Sequence, residues 1–211
     1  MLHANCTLGS GAPMVLAAVA VGSLWLPILA SAVGVFVASS LIWMATPLHK
    51  HDYKNPGDKE PRLLDALRDA ALAPGVYFLP WCMGMADKGA MMEKLKAGPW
   101  ALVYVQGGPP SMGKNLGAWF AHLLIVGVFV AYVAGTGLAA GAPFLAVFRA
   151  VGAAALLAHA GYALPMAIWH GMPWSQVPGR LIDGVIYALV TGGIFAWLWP
   201  GVQRVGELPA G

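Results

Sequence analysis

Apolar positions in this chain do not alternate with polar ones. They fill four long blocks, joined by two short links and one long polar connection. The blocks run from Leu24 to Leu48, Leu116 to Ala134, Phe144 to Trp169 and Leu181 to Trp199. Each is about as long as the roughly 20 helical residues needed to cross a hydrocarbon core of about 30 Å. Backbone groups in lipid have no water to bind, so each block is predicted to be a transmembrane helix. The predicted fold class is an all-α membrane protein. It is a single integral domain over 1–211, with spans at 24–48, 116–134, 144–169 and 181–199 and a long loop at 49–115.

The N-terminal boundary is less sharply drawn. Met14–Gly22 is also apolar and leads into the first block, and Ala30-Ser31-Ala32 has the small residues of a signal-cleavage site. Two features oppose a cleaved leader: Met1–Ser10 has no Lys or Arg, and the apolar run continues past Ala32. The reading adopted is a tilted first helix with an apolar extension or an upstream start, which leaves open whether residues 1–23 belong to the native protein.

Composition supports a lipid environment. Of 211 residues, 59% are hydrophobic and 10% charged, against about 25% charged in soluble domains. The 27 glycines suit close helix packing, and nine Trp and six Tyr suit an interfacial belt. Nine of the twelve basic residues lie between the first two blocks, from Lys50 to Lys114, and Arg180 lies on the same side. The positive-inside rule then places 49–115 in the cytoplasm and both termini outside, in a bacterial inner membrane. This topology puts Cys6 and Cys82 on opposite sides, unable to pair.

The connection has structure of its own. Pro61–Ala73 patterns as a helix, with Leu63, Leu64 and Leu67 on one face and Arg62, Asp65 and Arg68 on the other, as for a helix lying in the membrane interface. VYFLPW (Val76–Trp81) is expected at headgroup level, Asp87–Ala97 as a second short helix, and Trp100–Val105 as a strand or extended segment. The whole is expected to fold back as a cap over the helix ends.

One motif points towards nucleotide chemistry. Gly108, Gly113 and Lys114 have the spacing G-x-x-x-x-G-K. A phosphate cradle needs consecutive backbone N–H donors and a Ser/Thr hydroxyl for Mg²⁺. Here Pro109 and Pro110 remove donors, Asn115 replaces the hydroxyl, and the next helix enters lipid. No nucleotide is predicted, and a net charge of +3 makes no nucleic-acid footprint. The segment reads instead as a stiff basic re-entry turn at Gly113, with Trp119 near the interface.

Histidine is the remaining candidate chemistry. His49, His51, Asp52, His122 and His170 are the candidate metal ligands, because imidazole with carboxylate at an open site suits Zn or Fe. No H-x-x-x-H or E-x-x-H pair puts two of them on one helical face. His122 and His159 differ in depth by about 6 Å, a poor match for two ligands of one haem. Arg149 lies five residues into its span and can snorkel outward. Asp183 is three residues from Arg180, an ordinary i,i+3 pair. Gly152–Ala155, Gly192-Gly193 and Gly113-x-x-x-Gly117 are predicted close-packing sites, and Pro165 a kink towards His170.

At HKHDY (His49–Tyr53), GPPSMGKNLGAWF (Gly108–Phe120) and VGVFVAYVAG (Val126–Gly135) the chain resembles a family of small, uncharacterised bacterial integral membrane proteins. The resemblance covers most of the chain from Leu24. It implies an inner-membrane address and carries no catalytic residue or substrate.

Three functions are compatible with the residues. The first is a non-enzymatic accessory, assembly or scaffold protein, partnered by the bilayer and by a second copy or another membrane protein. The second is a metal-binding membrane enzyme at the cytoplasmic face, using a divalent Zn or Fe. The third is a small oligomeric transporter, with a polar cavity around His122, Tyr132, His159 and Tyr162.

Overall fold

The computed structural model describes residues 18–201; Cys6 and Arg204 lie outside them. In chain order the elements are α1 (Trp25–Ala45), α2 (Glu60–Asp69), β1 (Gly75–Leu79), α3 (Lys88–Ala97), β2 (Ala101–Val105), α4 (Met112–Gly137), α5 (Phe144–Ala160), α6 (Ala163–Trp169) and α7 (Val177–Leu198). Four helical stretches are long and apolar enough to cross a membrane: Val21–Ala45, Met112–Gly137, Phe144–Trp169 and Trp174–Leu198. A continuous helix of 26 residues such as α4 measures about 39 Å. The helix ends therefore extend beyond an apolar core of about 30 Å.

The spans form a ring in which α1 packs on α4 and α7, and α5 packs on α7 and α4. Val35, Val130, Val147, Val151 and Phe195 fill the interior. Without a hydrophobic force between helices in lipid, packing depends on close backbone approach at small residues. The α5–α7 seam has this form. A Cβ added at Gly184 would lie 2.5 Å from the Ala160 Cβ, and one at Gly192 would lie 3.1 Å from the Phe148 carbonyl oxygen. Gly152 and Ala155 face the same seam as expected, but Gly193, Gly113 and Gly117 meet nothing within 4 Å. At the far end of the bundle the Trp199 indole donates to the Ala139 carbonyl at 3.0 Å, and the Gly141 N–H donates to Pro200 at 2.8 Å.

Several expected boundaries move. The first span stops at Ala45, not Leu48, because the helix ends at extended Thr46, directly before Pro47. The second begins at Met112, so Gly113, Lys114 and Asn115 form the first helical turn and the chain bends earlier, at Gly107-Gly108. The fourth begins at Val177, with Pro178 in its first turn where a missing N–H costs nothing. The third is not one kinked helix. It breaks at Gly161-Tyr162, one turn before Pro165, where the proline ring and its missing N–H disturb the preceding turn.

The connection carries short elements of its own. α2 ends at Asp69, followed by Ala71 at φ 44°, so the helix stops short of Ala73. Asp87 caps α3, its Oδ1 accepting from the Gly89 and Ala90 amides at 2.8 and 3.2 Å. VYFLPW contributes Val76–Leu79 to β1. β1 pairs antiparallel with β2, Tyr77 opposite Val103, a small exception to the all-α expectation. Neither α2 nor α3 buries a residue.

Gly184→Ala is expected to destabilise the bundle by about 1–3 kcal/mol, the usual cost of overpacking. Gly193→Ala, which meets open space, is expected to be neutral or stabilising by up to about 1 kcal/mol. Thermal unfolding of both variants in mild detergent checks the pair.

Candidate functional site

The turn after α1 is tightly wound. The Thr46 hydroxyl donates back to Ile42, and the Lys50 and Asp52 amides donate to the Pro47 and His49 carbonyls at 3.1 Å. This winding turns the His49 side chain inward, where it is buried between two carboxylates. Nδ1 lies 2.8 Å from Asp52 Oδ2, and Nε2 lies 3.0 Å from Asp183 Oδ2 on α7. The Trp43 indole stacks on the imidazole at 3.9 Å with 7° between planes. Gln176 Nε2 donates to the Asp52 carbonyl at 2.6 Å, binding the same turn to the entrance of α7. Gly179 makes room: a Cβ there would lie 3.2 Å from His49 Cε1.

Carboxylate oxygens only accept, so both ring nitrogens are satisfied when both donate, the imidazolium form. Arg180 completes the group, with its guanidinium 3.7 Å from Asp52 and 4.8 Å from the Trp43 ring centre. Two carboxylates, one imidazolium and one guanidinium sum to zero, the arrangement that makes buried charge tolerable.

This geometry corrects the expected Arg180–Asp183 pair. Asp183 is buried and bonded to His49, while Arg180 is directed to Asp52. Because α7 starts four residues earlier than predicted, Asp183 sits in its second turn and not at its edge. The missed signal was a carboxylate inside an apolar helix with no cation on its own inner face. The nearest histidine at the same bundle end was His49.

Beside this latch the four spans line a half-open chamber of about 720 Å³. Its floor includes Ser39, Trp119, His159 and Tyr187. Trp119 donates to Ser39 Oγ at 3.1 Å, facing the bundle and not the interface expected of it. The His159 ring stands edge-on to Tyr187 at 5.4 Å. Arg180, Asp183 and Trp43 form one side of the rim, and Met44, Met112 and Leu116, all exposed, form the other.

The candidate ligands do not gather as one set. His49 and Asp52 meet, but His51 is exposed, His122 lies against Trp119 at 5.4 Å, and His170 is bonded to the Tyr162 hydroxyl at 3.1 Å. Among the described residues no group of three or more His, Cys, Asp or Glu is arranged to hold a metal. The expected transport cavity also disperses. Tyr132 and Tyr162 are exposed, and the α4–α5 groove of about 240 Å³ is lined by Val126, Phe129, Val130, Val133, Ala154 and Ala158. Arg149 lies exposed on α5.

Compared with family models, curated proteins and solved structures, the chain matches none.

Removing one side of the latch leaves a charge stranded. His49→Leu is expected to cost about 3–5 kcal/mol, the penalty for an unpaired buried charge, and His49→Leu with Asp183→Leu is expected to recover most of it. A double-mutant cycle read by thermal unfolding in detergent checks this coupling. Additive single effects would show that the two residues do not act together.

Proposed function

We propose that the chain is a non-enzymatic, multi-pass membrane protein that binds an amphiphilic molecule of the bilayer in the chamber beside the latch. It would act as an accessory or assembly component of a bacterial inner membrane. The observation that carries this reading is the chamber itself. About 720 Å³ lies within the range of small-ligand sites, about 300–1,000 Å³, and its apolar walls converge on a few polar groups. Its exposed rim of Met44, Met112 and Leu116 gives flexible apolar side chains at the opening, where a hydrocarbon tail would pass.

Charge supports an orientation in which this end faces the cytoplasm, since ten of twelve basic residues lie on its side. In that setting the connection rests on the membrane surface. Leu63, Leu64 and Leu67 of α2 are exposed, as are Val76, Phe78 and Tyr104 of the hairpin and Trp81 and Trp100 beside it. Apolar side chains of this kind are stable in the headgroup region and costly in water.

Filling the chamber tests the reading. Ser40 lines the chamber and bonds only back to Phe36, so Ser40→Trp is expected to occupy the cavity and leave the latch in place. Native mass spectrometry of the protein in mild detergent is expected to show a lipid-sized adduct, about one per chain, reduced at least about tenfold in Ser40→Trp. Loss of stoichiometric binding at this site is the result the occupied cavity predicts. An unliganded wild type, or an undiminished adduct in the variant, would contradict it.

A further inference from the structure

We infer that the chamber selects an acidic amphiphile, a single carboxylate or phosphate on an apolar tail, and that Arg180 binds its anionic group. This inference rests on the chamber being a binding site and adds the chemistry of its occupant.

Two ionisable side chains form the rim, and their states differ. Asp183 is buried and bonded to His49. Arg180 has about 30% of its side chain exposed, and its ion-pair contact is Asp52 at 3.7 Å, longer than a hydrogen bond. Trp43 lies beneath its plane at 4.8 Å, which fixes the guanidinium by a cation–π contact but uses none of its N–H groups. A rigid fork of five donors, largely unused, therefore lines a chamber whose other walls include apolar Met44, Met112, Leu116 and Trp119 and whose one carboxylate, Asp183, is already bonded to His49. Such a fork matches the paired oxygens of a carboxylate or phosphate, and those charge-assisted bonds are the strongest it can make.

Position agrees with chemistry. Arg180 is the fourth residue of α7, at the end of the bundle, while His159 and Tyr187 lie deeper. An occupant lying parallel to the spans would place its head at the depth of lipid headgroups and its tail in the apolar interior. His159 lines the chamber floor.

The test compares hexadecanoate, hexadecyl phosphate and hexadecanol, which share a tail and differ in the head. Binding to the full chain in a neutral detergent is read by calorimetry and thermal shift. At least one of the two acids is expected to bind about tenfold or more tightly than the alcohol, and which acid does so identifies a carboxylate or a phosphate source. Arg180→Gln is expected to abolish this preference, while Arg180→Lys keeps part of it. Equal binding of acids and alcohol by the wild type, or an undiminished preference in Arg180→Gln, would overturn the inference and leave the chamber standing. Absence of saturable binding for all three would overturn the chamber reading as well. If Arg180→Gln does not fold, the wild-type comparison and Arg180→Lys decide: the Lys variant must show a weaker preference than wild type.

Discussion

An ionised carboxylate inside an apolar helix needs a partner, and Asp183 in the second turn of α7 imposes that constraint on the whole bundle end. Withdrawing a carboxylate from water costs several kcal/mol even after relaxation, and the cation on its own helix, Arg180, is directed to Asp52. The partner arrives from 134 residues away. For His49 to reach it, α1 must stop at Ala45, the chain must wind back through Pro47, and α7 must carry a residue without a side chain at 179. Asp52, Gln176, Trp43 and Arg180 then complete the polar and aromatic surroundings of a buried imidazole.

The chamber follows from the same constraint. The latch ties the end of α1 to α7, while α1 also packs on α4 further inside, at Ile28 with Gly127 and Phe36 with Phe120. Towards the latch, the α4 wall is left to Met112 and Leu116, and the space between them and Arg180 is unfilled. The polar group that stabilises the bundle end thus also leaves an opening beside itself. Arg180 belongs to both, since it balances the charge of the cluster and lines the opening.

Much of the architecture was legible in the residues because it depends on quantities that add along the chain. Apolar length identified the four spans, and small residues at Gly152, Ala155 and Gly192 marked the α5–α7 seam. Boundaries were harder to read. Polar residues such as Lys114 and Arg180 look like loop yet continue a helix once it passes the apolar core, where water can serve its end groups. The aromatic run VYFLPW fits an interfacial segment as well as a strand, and its pairing with Ala101–Val105 depends on a partner 26 residues away. The site was least legible. Asp183 has a local decoy in Arg180, and no periodicity links it to His49. Of the five candidate ligands, His49 and Asp52 do sit in the cluster, but as members of an ion network rather than as a ligand set.

The bundle end depends on one state of one side chain: His49 held between Asp52 and Asp183 with both ring nitrogens donating. Nitrogen-15 NMR of the full chain in lipid, with histidine and aspartate labelled, observes this directly. Two protonated ring nitrogens are expected on His49, one close to the Asp52 carboxyl carbon and the other close to that of Asp183. A single neutral tautomer exchanging with water, and without contact to either carboxylate, would contradict it.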